Sequence, residues 1–219
     1  MIYMMSRFHQ DLDELTEDVV DMGELVLEML DRSVKALRDG DLEAADWVIQ
    51  KEKEVLRLDS LIEDEAMRLM ALFQPMAKDM RRLATILKMI TYMERVGKYG
   101  FNIAKATRSL EEYEACCTMP SLPEMADIVV PMVRDAVMSF KNQDIALVAD
   151  LTERDDRLDA IRKKVIAESL QYMKDNPDRI PPCVYYITIS RYLERCGDHA
   201  CKMAEKVVYM VSGKRIQIK

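Results

Sequence analysis

The sequence predicts an all-α fold of two tandem antiparallel three-helix bundles, six long helices in all. Three observations lead there. Leu, Met, Ala, Glu, Lys and Arg dominate, while Gly (6) and Pro (7) are scarce in 219 residues, a balance that favours helix almost throughout. The residues that stop helices fall at wide, regular intervals. The second half also repeats the first: Tyr92-Met93-Glu94-Arg95-Val96-Gly97-Lys98 returns as Tyr192-Leu193-Glu194-Arg195-Cys196-Gly197-Asp198. The first bundle is expected over residues 1–110, a linker over 111–120 and the second bundle over 121–219.

Each element follows from its punctuation. Ser6 is expected to cap a first helix running to about Arg38, with Asp39-Gly40 as its stop. A second helix runs from about Asp41 to Phe73, ended by Gln74-Pro75 because the residue before proline disfavours helix. The third covers about Met76 to Ser109, where Leu83, Ile86, Leu87, Ile90, Met93, Gly97 and Phe101 step by three and four. Glu111 to Pro120, with Cys116, Cys117 and a proline, reads as the linker. Ser121-Leu122-Pro123-Glu124 then has the pattern of a capping box opening a fourth helix. Asn142-Gln143 ends it, and a fifth helix is expected from Asp144 to about Lys174. Asn176-Pro177 breaks that one, and a sixth spans about Pro181 to Ser212, stopped by Gly213. Helices of about 30 residues reach roughly 45 Å, which suits bundles joined by short turns.

The repeat extends beyond its most legible motif. Asp41 aligns with Asp144, Glu52 with Asp155, Val55 with Leu158 and Glu65 with Glu168, at an offset of 103 that falls to 100 at Glu94 and Glu194. The second copy has therefore lost three residues between its second and third helices, where a turn absorbs the change.

Composition narrows the function classes. With 49% hydrophobic residues the chain can bury a continuous core, and a charged fraction of 32% with net charge −7 marks an acidic protein. No basic stripe interleaved with aromatics recommends nucleic acid as a partner. No apolar run approaches the roughly 20 residues of a membrane span, so no membrane insertion is expected. The start, Met1 to Met5 before Ser6-Arg7, is shorter than a secretory apolar segment, and a cytoplasmic location is expected. Cys183, Cys196 and Cys201 fall in helices and the total of five is odd, which favours reduced thiols over a disulfide framework. The 18 methionines are read mainly as flexible core packing, with Met67, Met70, Met89 and Met93 at core spacing.

The chemistry-bearing pattern is acidic. Asp155 and Asp159 are four apart on the fifth helix, and Glu194 and Asp198 four apart on the sixth, so each pair lies on one helix face. Should the two helices face each other at that level, four carboxylates converge, and like charges so close require a cation or bound protons. A metal is the natural neutraliser of an oxygen-only cluster, set against the plain alternative of solvated acidic faces. The equivalent positions of the first repeat read Glu52, Leu56, Glu94 and Lys98. There Lys98 is expected to fill the place of a metal by pairing with Glu52 and Glu94. Gly97 and Gly197 are expected to allow close helix approach beside these clusters.

The residues now resemble the PhoU family, regulators of bacterial and archaeal phosphate uptake. In the first repeat the resemblance runs through Val48-Ile49, Glu52-Lys53-Glu54-Val55, Ile62-Glu63-Asp64-Glu65, Gln74-Pro75, Asp79-Met80-Arg81 and Glu94-Arg95-Val96-Gly97. Glu153-Arg154-Asp155-Asp156 and Glu194-Arg195-Cys196-Gly197-Asp198 carry it in the second. It implies two three-helix repeats and a regulatory role without enzymatic activity. It also implies negative modulation of a high-affinity phosphate ABC transporter through its ATPase, a link to a sensor kinase and a homodimer. Two E/D-x-x-x-D motifs per repeat imply multinuclear iron or zinc. Only Asp155, Asp159, Glu194 and Asp198 satisfy both motifs here, while Glu52 and Glu94 keep the first letter of each.

Two rivals stand beside this reading. A carboxylate-bridged di-iron oxidase needs Glu-x-x-His on two helices, and neither His9 nor His199 follows a Glu at that spacing. His199, next to Asp198, is open to an accessory ligand role or to helix packing. A metal-independent helical adaptor is the other rival, and it predicts no stoichiometric metal in protein purified without chelator.

Overall fold

The fold is taken from a computed structural model that describes residues 2–113 and 121–218. It is all helical: α1 (Ile2–Asp39), α2 (Leu42–Phe73), α3 (Ala77–Leu110), α4 (Ser121–Asn142), α5 (Leu151–Asp175) and α6 (Ile180–Ser212). Cys116 and Cys117, with most of the expected linker, lie outside the described residues.

The turns follow from local chemistry. Gly40 adopts φ +70, a left-handed conformation that costs glycine nothing. Asp41 then caps α2 by accepting the Ala44 amide at 3.0 Å. Gln74 closes α2 with φ 47, its N–H donating to the Met70 carbonyl at 3.2 Å. Gly213 closes α6 with φ 73, its N–H donating to Tyr209.

Three expectations need correction. Ser6 caps nothing, since α1 is already helical from Ile2. Ser121 is itself helical, and its hydroxyl donates across to Glu168 Oε1 at 3.0 Å rather than closing a capping box. The fifth helix starts at Leu151, not Asp144: Asp144 caps a 3₁₀ turn, Ile145–Val148, by accepting the Ala146 amide at 2.9 Å. The Asp144 carbonyl also accepts the buried Ser139 hydroxyl at 2.7 Å, which fixes the turn against α4.

Helices α1, α3, α4 and α6 form the centre, with α1 against α3 and α4, and α6 against the same two. Helix α2 packs on α1 and α3, and α5 on α4 and α6. The position of α3 explains its buried residues. Leu83, Ile86, Met89, Ile90 and Met93 are buried as expected, while Leu87 and Phe101 are only half-buried; Val96, Gly100, Ile103 and Ala104 are buried as well, because α1, α2 and α6 cover three of its sides. Met67 departs from the core pattern: it is 55% exposed, beside the buried Ala66 and Leu69 on α2. Cys183, Cys196 and Cys201 are buried, and none is in a disulfide among the described residues; burial pushes the Cys196 thiol well above its usual range.

The duplication is visible in the packing. Tyr92 stacks on His199 (centroids 5.8 Å apart), Tyr99 on Tyr192 (5.7 Å), and Tyr99 on His199 (5.8 Å). At the repeat offset, Tyr92 is equivalent to Tyr192 and Tyr99 to His199, so the first two contacts are one contact made twice around a local pseudo-twofold axis. That axis runs α3 and α6 antiparallel, and the Thr85 hydroxyl meets the Lys206 carbonyl in the same register.

Candidate carboxylate centre

The buried stripe of α5 reads Leu151, Asp155, Leu158, Ile161, Val165 and Ser169. Asp155 stands in it as a carboxylate only 1% exposed, an expensive placement for a charge unless compensated. Across from it on α6 is Gly197. A Cβ there would lie 3.3 Å from Asp155 Oδ1 and 2.6 Å from Leu158 Cδ2. The missing side chain is what makes room for the carboxylate.

Glu194 lies one turn before Asp198. Its pKa is pushed above the usual carboxylate range, first by burial, then by the charges of Asp198 and Asp159. Arg195 and Arg162 pull the other way. Arg195 donates to Asp198 Oδ2 at 2.9 Å and lies 3.6 Å from Glu194 Oε2, while Arg162 Nη1 is 4.0 Å from Glu194 Oε1. Glu194 Oε2 is buried and accepts no hydrogen bond.

The structure therefore brings Asp198 and Asp159 within electrostatic range of Glu194 and sets Asp155 against Gly197. The donors are hard oxygens, chemically suited to a metal. They are not a preformed ligand shell: among the described residues no group of three or more His, Cys, Asp or Glu is arranged to hold a metal ion. Arginines supply the compensating charge instead. His199 stacks on Tyr92 and Tyr99; burial holds it below its usual basicity, while the charge of Asp198 acts the other way.

In the first repeat Lys98 pairs with Glu52, as expected, and lies 4.5 Å over the Phe101 ring. It does not pair with Glu94, whose ion-pair partner is Arg95 at 3.5 Å. Sequence reading also missed a carboxylate near Glu94. Asp59, raised by burial and by Glu63 and Glu94, occupies the position equivalent to Arg162. Each repeat thus carries one compensating cation that the other lacks, Lys98 on α3 in the first and Arg162 on α5 in the second. The 103-residue offset applied beyond the acidic motifs exposes this exchange directly.

Comparison with known proteins gives this architecture a family. A family model described as the PhoU domain matches twice, over residues 19–107 and 122–207. The chain belongs to the PhoU family. A Xylella fastidiosa protein described as a phosphate-specific transport system accessory protein PhoU homolog is 30% identical over 220 residues, covering 98% of this chain and 89% of its own. An Aquifex aeolicus protein of the same description is 31% identical, covering 96% of both. The crystal structure of PhoU from Pseudomonas aeruginosa superposes with a TM-score of 0.91 at 30% identity, over 94% of this chain and all of the other. The phosphate transport system regulatory protein PhoU from Streptococcus pneumoniae gives 0.88 at 28% identity, over 96% and 99%. Family membership supports an accessory, regulatory role in phosphate transport.

Proposed function

We propose that this protein restrains a high-affinity phosphate ABC transporter by contacting its ATPase, from the cytoplasmic side, and passes the same state to a sensor kinase. The carrying observation is that two PhoU domains span the described helical core, in a chain whose relatives over nearly their whole length are accessory proteins of phosphate-specific transport. A regulator without enzymatic activity and a homodimer belong to the same proposal. Capture with the full-length protein tests it: the transporter ATPase should be retained from an extract of the native host. Failure to retain a co-expressed ATPase in both high and low phosphate rejects direct contact.

The finer chemical part concerns metal. We propose that Asp155, Asp159, Glu194 and Asp198 take iron or zinc, supported by the buried Asp155 carboxylate and the unbonded Glu194 oxygen. Bound metal would supply the positive charge that Arg162 and Arg195 provide here, and binding requires Arg195 to release Asp198. Elemental analysis of protein purified without chelator should find metal that is lost on Asp198→Ala and kept on Glu94→Ala. Loss on Glu94→Ala alone refutes the assignment, and no metal at all favours the metal-independent adaptor.

A further inference from the structure

The pseudo-twofold axis makes the two ends of the α3–α6 pair equivalent in fold, but they differ in charge. One end joins the start of α3 to the end of α6: a Cβ on Gly213 would lie 3.9 Å from the Arg81 guanidinium carbon. At the repeat offset, Lys78 is equivalent to Asp178, Arg81 to Pro181, Lys202 to Asn102 and Lys206 to Ala106. The duplicated fold therefore does not require these cations. The exchange is not wholly one-way, since Asp79 is equivalent to Arg179 and Glu205 to Lys105, but the balance at this end is basic in a protein whose net charge is −7.

The same end exposes apolar side chains. Met76 is 81% exposed at the α2–α3 turn, with Leu72 at 56%, Ile216 at 44%, and Met80 and Val211 each at 38%. The tail beyond α6 does not dangle: the Ile218 N–H donates to the buried Glu205 at 3.0 Å, and Ile218 packs on the core. This holds Lys214, Arg215 and Ile216 at that end. At this end Lys202 and Lys206 close ion pairs with Glu205, and Arg82 with Asp13. Lys78, Arg81, Lys214 and Arg215 make none among the described residues, and the buried Nε of Arg81 donates to nothing there.

We propose that this basic, apolar-studded corner docks the protein on an anionic lipid surface. Cations at such a surface gain from its negative potential, and exposed Met, Leu and Ile side chains enter the boundary between headgroups and acyl chains. A turn and a helix end form a convex corner, whereas a bound peptide helix calls for a groove. The mode is peripheral: no described helix is long and apolar enough to cross a membrane. The proposal stands apart from the transporter reading, since it concerns lipid and not the ATPase.

The test is co-sedimentation of the full chain with vesicles of two parts phosphatidylcholine to one of phosphatidylglycerol, against phosphatidylcholine alone. Binding is expected only to the first, falling steeply with salt. Lys78→Glu/Lys214→Glu/Arg215→Glu should weaken it roughly tenfold or more, and Met76→Ser should weaken it further. The control Lys53→Glu/Lys163→Glu, with the cations removed elsewhere, should bind within about twofold of the parent. The glutamine triple replaces the glutamate triple should the latter lose its circular-dichroism signal. No binding to the anionic vesicles, or equal binding by triple and parent, overturns the proposal. So does capture on polyglutamate without capture on vesicles, which assigns the corner to an acidic protein.

Discussion

Gly97 and Gly197 occupy the same place in the two repeats, yet alanine should act oppositely at them. At Gly197 the new Cβ would stand 2.6 Å from Leu158 Cδ2, 3.3 Å from Asp155 Oδ1 and 3.7 Å from Met132 Cε. Leu158 is 0% exposed, so its methyl moves only by displacing other core atoms. Overpacking of this kind costs about 1–3 kcal/mol, and the helix-propensity gain of glycine to alanine returns about 1 kcal/mol. The net expectation for Gly197→Ala is a loss of up to about 2 kcal/mol. At Gly97 the nearest atoms are Val26 Cγ2 at 3.4 Å and Val55 Cγ1 at 3.5 Å, close to ordinary contact. Gly97→Ala should therefore be neutral or stabilising by up to about 1 kcal/mol. At about 2–4 °C per kcal/mol for a chain of this size, thermal unfolding followed by circular dichroism separates the variants. A Gly197→Ala protein that melts above the parent, or equal shifts in both variants, refutes the reasoning.

Other predictions are independent of that pair. Gly23→Ala puts a Cβ 2.8 Å from Val137 Cγ1, and valine is stiff about χ1; a loss of about 1–3 kcal/mol in urea unfolding is expected. Gly40→Ala meets no atom within 4 Å but forces φ +70 on alanine, so it should cost about 1 kcal/mol while Gly40→Asn costs less. Arg154 bonds Asp150 and holds its pKa below the usual 3.8. Its contribution is present above that value and is lost as pH falls through the lowered folded value. Asp150→Asn should therefore lower stability by a near-constant amount between pH 6 and pH 8 and flatten the acid limb below about pH 4, where variant and parent converge. Breaking the Lys98–Glu52 pair with Lys98→Met should cost less than about 1 kcal/mol, because the lysine is half exposed.

Much of the fold was legible because the stops are local chemistry. Asp39-Gly40, Gln74-Pro75, Asn142-Gln143, Asn176-Pro177 and Gly213 each mark an observed helix end to within a residue or two. The 3₁₀ turn at Ile145–Val148 was not, because its fixing contact is the tertiary bond from Ser139 to the Asp144 carbonyl. Ser6 and Ser121 have cap-forming side chains but lie within helices, where residue type alone misleads. At the acidic centre, the i,i+4 spacing identified Glu194 and Asp198, and the repeat identified Lys98. Arg162 and Asp59 were not legible in the same way, because neither belongs to an acidic motif. A compensating charge is chosen by the surface it faces, and only alignment of the two copies beyond the motif brings it out. The ladder of Tyr92, His199, Tyr99 and Tyr192 was also recoverable, since the offset already paired its members.

The proposed role is that the protein restrains phosphate entry. Uptake of radiolabelled phosphate by host cells lacking the gene, grown with ample phosphate, tests it most directly. Uptake should rise above that of the parent strain and return to normal when the gene is restored. Unchanged uptake in the deleted strain, with the transporter demonstrably expressed, would contradict it.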